Sequence, residues 1–276
     1  MGEVFKLNGC SVHLEFNGHK EREEGLTPFC IAVLNEFDLS GLRLCIYVAE
    51  SEDRSFANPA TLYYRGKYFR GSHVPPEGLH QLPDYLGSYI FRPDEELMWL
   101  DHVASFEEQL AIDHLIYVRD STCVDTVGFV LTLAHELQHV TQYRRSRKLL
   151  AASALLYHNL KRTLDPSTTL TAIDIPHEQE ANIVSKRIAE RICSADAVKR
   201  YAEEQIKQFT ELSFAGEEDA ASERIGWEFF KTSDASVPYD LAANTIPLFR
   251  RYIPQIIAHD LGRHYGLDLT KQQWWD

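Results

Sequence analysis

The stretch LTLAHELQHVTQY at 131–143 places His135 and His139 four residues apart, with Glu136 directly after the first histidine. If the stretch is helical, residues four apart lie on one face about one turn apart, so both imidazoles can bind one metal ion. Glu136 lies about a hundred degrees further round the helix, too far to be a third ligand. It is close enough to take a proton from a water molecule at the metal. The spacing predicts a zinc site with a glutamate as general base.

A catalytic zinc ion needs three protein ligands, so one more must come from elsewhere in the chain. The longer pattern H-E-x-x-H-x-x-G-x-x-H is excluded, because Gln142 and Arg145 stand where it requires glycine and histidine. The segment HEQEAN at 177–182 opens a later predicted helix, and Glu178 is the first candidate. Asn182, four residues on, would hold the ring of a ligand histidine. The remaining candidates for the third ligand are Glu180, His177 and His158.

The alternative hypothesis is that these residues bind no metal ion. The histidines could be polar residues on a half-exposed helix, and an acid in the first turn of a helix is favoured by the helix dipole whatever its function. However, Ala134, Leu137 and Val140 flank the histidines within an apolar helix. Histidines and a glutamate there would need buried partners, because unpaired polar groups in a core are costly. A metal ion supplies such partners, which favours the metal site.

The composition limits the partners and the compartment. The net charge of −13 argues against attraction to nucleic acid or to anionic lipid, and the densest basic patch is YRRSRK at 143–148. The five cysteines are odd in number and scattered, which favours a reducing compartment over a disulfide scaffold or a cysteine zinc cluster. No signal peptide and no apolar run of membrane-spanning length is recognised. We expect a cytoplasmic protein with no membrane contact, although a secreted effector without a standard signal would look the same. The oligomeric state is not indicated.

Residues 1–120 are rich in short strand-like runs separated by turn residues. Strands are predicted at 41–50, 85–91 and 113–121, and a hairpin at 61–71. A helix is predicted at 94–114. The strand at 114–119 lies just before the HExxH helix in sequence. It is expected to be an edge strand that pairs with an extended substrate, and an interior position is the equal alternative.

From residue 121 onward the apolar periodicity is helical. The HExxH helix is predicted at 125–147, capped by Asp125 or by Thr122, and Pro176 is expected at the first position of the helix 177–193. The other helices are predicted at 148–164, 195–209, 221–232 and 239–265, the last interrupted by Pro247 and Pro254.

The order of these elements predicts an α+β fold, in which an N-terminal mixed sheet with helices precedes a mainly helical lobe that carries the HExxH helix. Residues 1–120 would form the α/β part and residues 121–276 the helical metal-binding lobe of one catalytic unit.

HELQH followed by EQEAN resembles the gluzincin class of zinc peptidases, which have a zincin-like fold and a second motif E-x-x-x-D. More narrowly, HEQEANIVSKRIAERI is similar to the E-x-x-A-N segment of the ImmA/IrrE-like family. The resemblance covers 125–193, about a quarter of the chain, and Asn182 replaces the aspartate of the wider class. It implies an intracellular zinc metallopeptidase, often tied to cleavage of a regulator. His135, His139 and Glu178 would be the ligands, and Glu136 the base.

In such an enzyme zinc would lower the pKa of a water molecule toward 7. Glu136 would take its proton and deliver it to the leaving amine of a protein or peptide substrate. A further donor would stabilise the oxyanion, and the candidates are Tyr143, Tyr157, His158, His259 and His264. Two other functions stay open: a catalytically silent zincin-like binding module, and a DNA-associated regulatory protein that binds through the basic patch.

Overall fold

The computed structural model describes residues 3–16, 20–49, 61–64, 67–70, 87–91, 113–163, 175–216 and 220–258. The chain divides into two compact units, Met1–Thr141 and Gln142–Asp276. The described part of the first unit contains the strands, one α-helix and the first turns of the HExxH helix. The second is helical throughout its described part.

The first unit is built on a mixed sheet. Its five strands lie in the order β1-β2-β3-β7-β6, and a separate antiparallel pair is formed by β4 and β5. The strands β2, β3 and β7 are parallel to one another, and the outer strands β1 and β6 are antiparallel to their neighbours. The strand bounds are Glu3–Leu7 (β1), Cys10–Phe16 (β2), Arg43–Ala49 (β3), Thr61–Tyr64 (β4), Lys67–Arg70 (β5), Gly87–Phe91 (β6) and His114–Arg119 (β7).

The predicted strands at 41–50, 85–91 and 113–121 and the two arms of the predicted hairpin at 61–71 are all present. The prediction that 114–119 is an edge strand is wrong. β7 pairs with β3 on one side and with β6 on the other, so its backbone hydrogen-bonding groups are used within the sheet. In the described sheet the edge strands are β1 and β6.

The hairpin of β1 and β2 was not among the sequence predictions. Its strands are joined by Asn8 and Gly9, whose φ angles are 48° and 80°. Two consecutive residues with positive φ make the tight turn that matches the twist of paired strands, and Asn-Gly is its preferred sequence. The signal was therefore in the sequence, between the runs EVFKL and CSVHLEF.

A helix, α1 (Lys20–Leu34), connects the parallel strands β2 and β3 and packs against β2. Helix α1 was also not among the sequence predictions. Pro28 lies inside it, and proline in a helix interior removes one backbone hydrogen bond. Leu26, Cys30, Val33 and Leu34 are buried, so core packing outweighs the low propensity.

The HExxH helix follows β7 after a 3-10 turn at Asp120–Val124. Asp125 caps it as predicted: its Oδ1 accepts hydrogen bonds from the backbone N–H of Val127 at 2.6 Å and of Gly128 at 3.4 Å. Helix α2 runs over Thr126–Thr163, with a kink at Ser146 where φ and ψ leave the helical region. The kink coincides with the predicted division between 125–147 and 148–164.

The first half of α2 packs on the sheet. The ring centroids of Phe16 on β2 and Phe129 on α2 are 6.4 Å apart, and Phe129 is fully buried. Because alternate strand residues share a face, Val12 and Leu14, also buried, point the same way as Phe16. This apolar layer fixes the helix that presents the two histidines.

In the second unit the structure describes four helices after the second half of α2. Their bounds are Pro176–Cys193 (α3), Ala195–Phe214 (α4), Ala220–Thr232 (α5) and Leu241–Ala258 (α6). Pro176 stands at the start of α3, as predicted. The prediction that Pro247 and Pro254 interrupt the last helix is wrong, because α6 continues through both. Leu241, Thr245 and Phe249, which lie four residues apart, are buried, and α6 contacts α3. Burial of this face favours the helix despite the prolines.

Helix α3 is anchored at its centre by a buried lysine. Lys186 Nζ donates to the carbonyl oxygens of Phe230, Lys231 and Ser233 at 2.8, 3.0 and 2.6 Å. Phe230 and Lys231 belong to the last turn of α5 and Ser233 follows it, and backbone acceptors there have no partner within the helix. Burial lowers the pKa of Lys186, and the nearby acids Glu190 and Asp234 oppose that shift. The contact holds the end of α5 to α3.

The α+β class, with an N-terminal mixed sheet followed by helices, is confirmed. None of the five cysteines, all of which lie in the described part of the chain, forms a disulfide. Among the helices that the structure describes, none is long and apolar enough to cross a membrane. The predicted helix at 94–114 lies outside the described residues except for its last two positions, and of these His114 begins β7. The division at residue 120 stays a prediction.

Candidate metal centre

The two histidines of the HExxH motif converge on one point. His135 Nε2 and His139 Nε2 are 3.1 Å apart, and the rings stand nearly perpendicular with centroids 4.8 Å apart. Two nitrogen ligands at 2.0–2.1 Å from a tetrahedral zinc ion lie roughly 3.3 Å apart. The pair therefore has the spacing of two zinc ligands, as the i, i+4 relation predicts.

His135, His139 and Glu178 form a group that could hold a metal ion. Each offers one ligand atom, and these atoms all lie within 4.8 Å of one another. No other such group of three occurs among the residues that the structure describes. Two imidazoles and a carboxylate are one of the donor sets of catalytic zinc sites, so the residues fit the ion.

Glu136, the predicted base, is buried, with 6% of its surface exposed. It precedes Leu137, which is fully buried, and follows His135, which is partly exposed. A carboxylate in that position is shielded from bulk water. Its assignment as general base stays a prediction.

Glu180, an alternative third ligand, is engaged elsewhere. Arg145 binds its carboxylate through both terminal nitrogens, at 2.9 and 2.8 Å, and Gln142 Nε2 donates to Oε2 at 2.8 Å. The Glu180 side chain is 4% exposed. Bidentate pairing with arginine is among the strongest charge-assisted contacts in proteins. The carboxylate of Glu180 is therefore bound by Arg145 and Gln142, and Glu178 is the better candidate for the third metal ligand.

Gln142 and Arg145 thus have a role that the sequence reading missed. Gln142 is fully buried and also donates to the carbonyl oxygen of His177 at 2.8 Å. It stands seven residues after His135, on the same helical face as His139. A buried amide on that face needs hydrogen-bond partners. A glutamine at this position of the predicted helix was therefore the sequence signal for the contact. These contacts join α2 directly to the first turn of α3, which carries Glu178.

The first turn of α3 is held by further hydrogen bonds. Tyr239 donates its hydroxyl to Gln179 Oε1 at 2.6 Å. Burial raises the pKa of Tyr239, and the negative charge of Glu180 raises it further, so the phenol stays protonated at neutral pH. The protonated form is the one that donates to Gln179.

His177, another alternative ligand, contacts Glu178 itself. Its Nε2 lies 3.1 Å from Glu178 Oε1, and its Nδ1 lies 2.7 Å from Ser153 Oγ. Both ring nitrogens are therefore occupied by protein contacts. No sequence signal pointed to Ser153, which lies on the second half of α2.

The residues predicted to stabilise the oxyanion lie partly on α2 and partly outside the described residues. Tyr143 lies on α2, half-buried, and Tyr157 and His158 lie further along the same helix. His259 and His264 are outside the described residues. The roles of these five in oxyanion stabilisation stay predictions, as does the role of Asn182, which lies on α3 four residues after Glu178.

No family model matches the chain, and no curated protein or solved structure is similar enough to count as a match.

Proposed function

We propose that this chain is a zinc-dependent peptidase that hydrolyses a bond in a protein or peptide substrate. The observation that carries the proposal is the group of His135, His139 and Glu178, whose ligand atoms lie within 4.8 Å of one another. Three nitrogen and oxygen ligands are typical of catalytic zinc sites, which keep a position open for water. The acid beside His135 supports catalysis, because a structural site has no need of it.

Zinc bound by these residues would activate a water molecule and polarise the substrate carbonyl. Glu136 would accept a proton from that water and deliver it to the leaving amine. Helix α2 holds Glu136 beside His135, so the base and the metal ligand share one rigid element. The resemblance of 125–193 to gluzincins and to the ImmA/IrrE-like family supports the same assignment. A cytoplasmic location is part of the proposal, supported by the number and spacing of the cysteines.

The alternatives gain less support. A DNA-associated protein would use the basic patch at 143–148, but the charge of Arg145 is compensated by Glu180 within the chain. A catalytically silent module would keep the metal without turnover, and Glu136 argues against it. Neither alternative accounts for an acid directly after the first histidine.

Removal of the metal is the first test. Treatment with 1,10-phenanthroline followed by desalting should reduce hydrolysis of fluorescently labelled casein, or of a diverse peptide library read by mass spectrometry, to background. One equivalent of zinc should restore it. The isomer 1,7-phenanthroline cannot chelate and serves as the control. Full activity after the metal has been removed would contradict the proposal. Zinc-loaded protein that cleaves none of these substrates would favour the silent module.

A further inference from the structure

His177, the residue before Glu178, makes a partly buried contact with it. His177 Nε2 lies 3.1 Å from Glu178 Oε1, with the side chains 11% and 27% exposed. Consecutive residues on a helix do not normally face each other, so this contact depends on a specific side-chain conformation at the start of α3. Because an ionised carboxylate only accepts hydrogen bonds, His177 Nε2 must be the donor.

Ser153 fixes that conformation from the opposite side of the ring. Its hydroxyl oxygen lies 2.7 Å from His177 Nδ1 and accepts the backbone N–H of His177 at 3.2 Å. Ser153 is fully buried, and His177 is 8% exposed. The imidazole is thus held at both nitrogens, with Nε2 directed at Glu178.

The same three residue types occur in serine hydrolases, but this arrangement does not suit that chemistry. A nucleophilic serine must be reachable by substrate, and Ser153 has no exposed surface. Its oxygen also accepts a backbone hydrogen bond. The contacts of Ser153 and His177 are instead those expected of residues that orient the Glu178 carboxylate.

We propose that His177, held by Ser153, is a positioning residue that orients the Glu178 carboxylate for metal binding. The inference rests on the proposed function, since it assigns the outer partner of the third ligand. A carboxylate has two oxygens and about four acceptor positions, so a hydrogen bond to one oxygen is compatible with ligation. Hydrogen bonds of this kind fix the orientation of a ligand, and their loss typically weakens metal binding by about 10- to 100-fold.

The test compares two substitutions of His177 in the full-length protein. His177→Leu removes both ring nitrogens, whereas His177→Gln keeps an N–H donor near the position of Nε2. The zinc dissociation constant is measured by competition with a chromophoric chelator, and the cobalt-substituted protein gives the absorption bands of the ligand sphere. We expect His177→Leu to bind zinc about 10- to 100-fold more weakly with altered cobalt bands. His177→Gln should remain close to wild type.

Two results would overturn the inference while leaving the metal site intact. One is wild-type zinc affinity in folded His177→Leu. The other is equal loss in both variants, which would assign the effect to packing of the ring. If His177→Leu does not fold, Ser153→Ala serves instead, and unchanged zinc affinity there would overturn the proposal. A wild-type protein that binds no zinc would refute the proposed function itself, which is a distinguishable result.

Discussion

Glu136→Gln is expected to lower peptide hydrolysis by about 10²- to 10⁴-fold while zinc stays bound. Glutamine has nearly the same shape but cannot accept and release the proton, so only the acid–base role is removed. Glu136 is buried beside His135, and the substitution replaces a buried carboxylate with a neutral amide. The measurement is the initial rate on labelled casein, with the zinc content of the same sample determined by elemental analysis.

The control for Glu136→Gln is Glu204→Gln, the same change at an exposed position on α4. It should leave both the rate and the zinc content unchanged. A Glu136→Gln variant that retains zinc and hydrolyses casein at the wild-type rate would remove Glu136 from the mechanism. A variant that loses its zinc would indicate that the glutamate supports the metal and not the proton transfer.

Glu180→Ala is expected to destabilise the metal-free protein by about 2–4 kcal/mol, which is large for a single substitution. It leaves Gln142 Nε2 buried without one acceptor and removes the bidentate partner of Arg145. The cost lies below that of a fully buried pair, because the Arg145 side chain is 45% exposed and can be hydrated. The measurement is the midpoint of thermal unfolding, which should fall by at least about 5 °C.

The matched control is Glu178→Ala, two residues away on the same helix. Its side chain is 27% exposed, so we expect a loss of at most about 1 kcal/mol in metal-free protein. Chelator must be present in both measurements, because bound zinc would stabilise the folded state by mass action. If Glu180→Ala leaves the unfolding midpoint unchanged and lowers the zinc content, Glu180 is a ligand and the assignment of the two acids is reversed.

Several features that depend on neighbouring residues were predicted from the sequence, although the hairpin at Asn8 and Gly9 was missed. The HExxH helix, its Asp125 cap and the start of α3 at Pro176 depend on residues a few positions apart, and all three occur in the structure. The histidine spacing belongs to the same class, because helix geometry alone brings His135 and His139 together. These features required no knowledge of the tertiary fold.

Features that depend on distant partners were harder to predict. Whether β7 is an edge or an interior strand depends on β6, which precedes it by more than twenty residues. The choice between Glu178 and Glu180 depends on Arg145, 35 residues before Glu180. Helix α6 continues through Pro247, and the residues Thr245 and Phe249 on either side of the proline are buried. In each case tertiary packing decided between local alternatives of similar preference.

The most direct test of the central claim is the amount of zinc per chain in protein purified without chelator. We predict about one zinc per chain in the wild type and in folded Glu180→Ala, and a clear loss in Glu178→Ala. No zinc in the wild type, even after zinc is added back, would contradict the account and make the HExxH spacing a coincidence. Full zinc occupancy in Glu178→Ala would keep the metal site but transfer the third ligand to another residue.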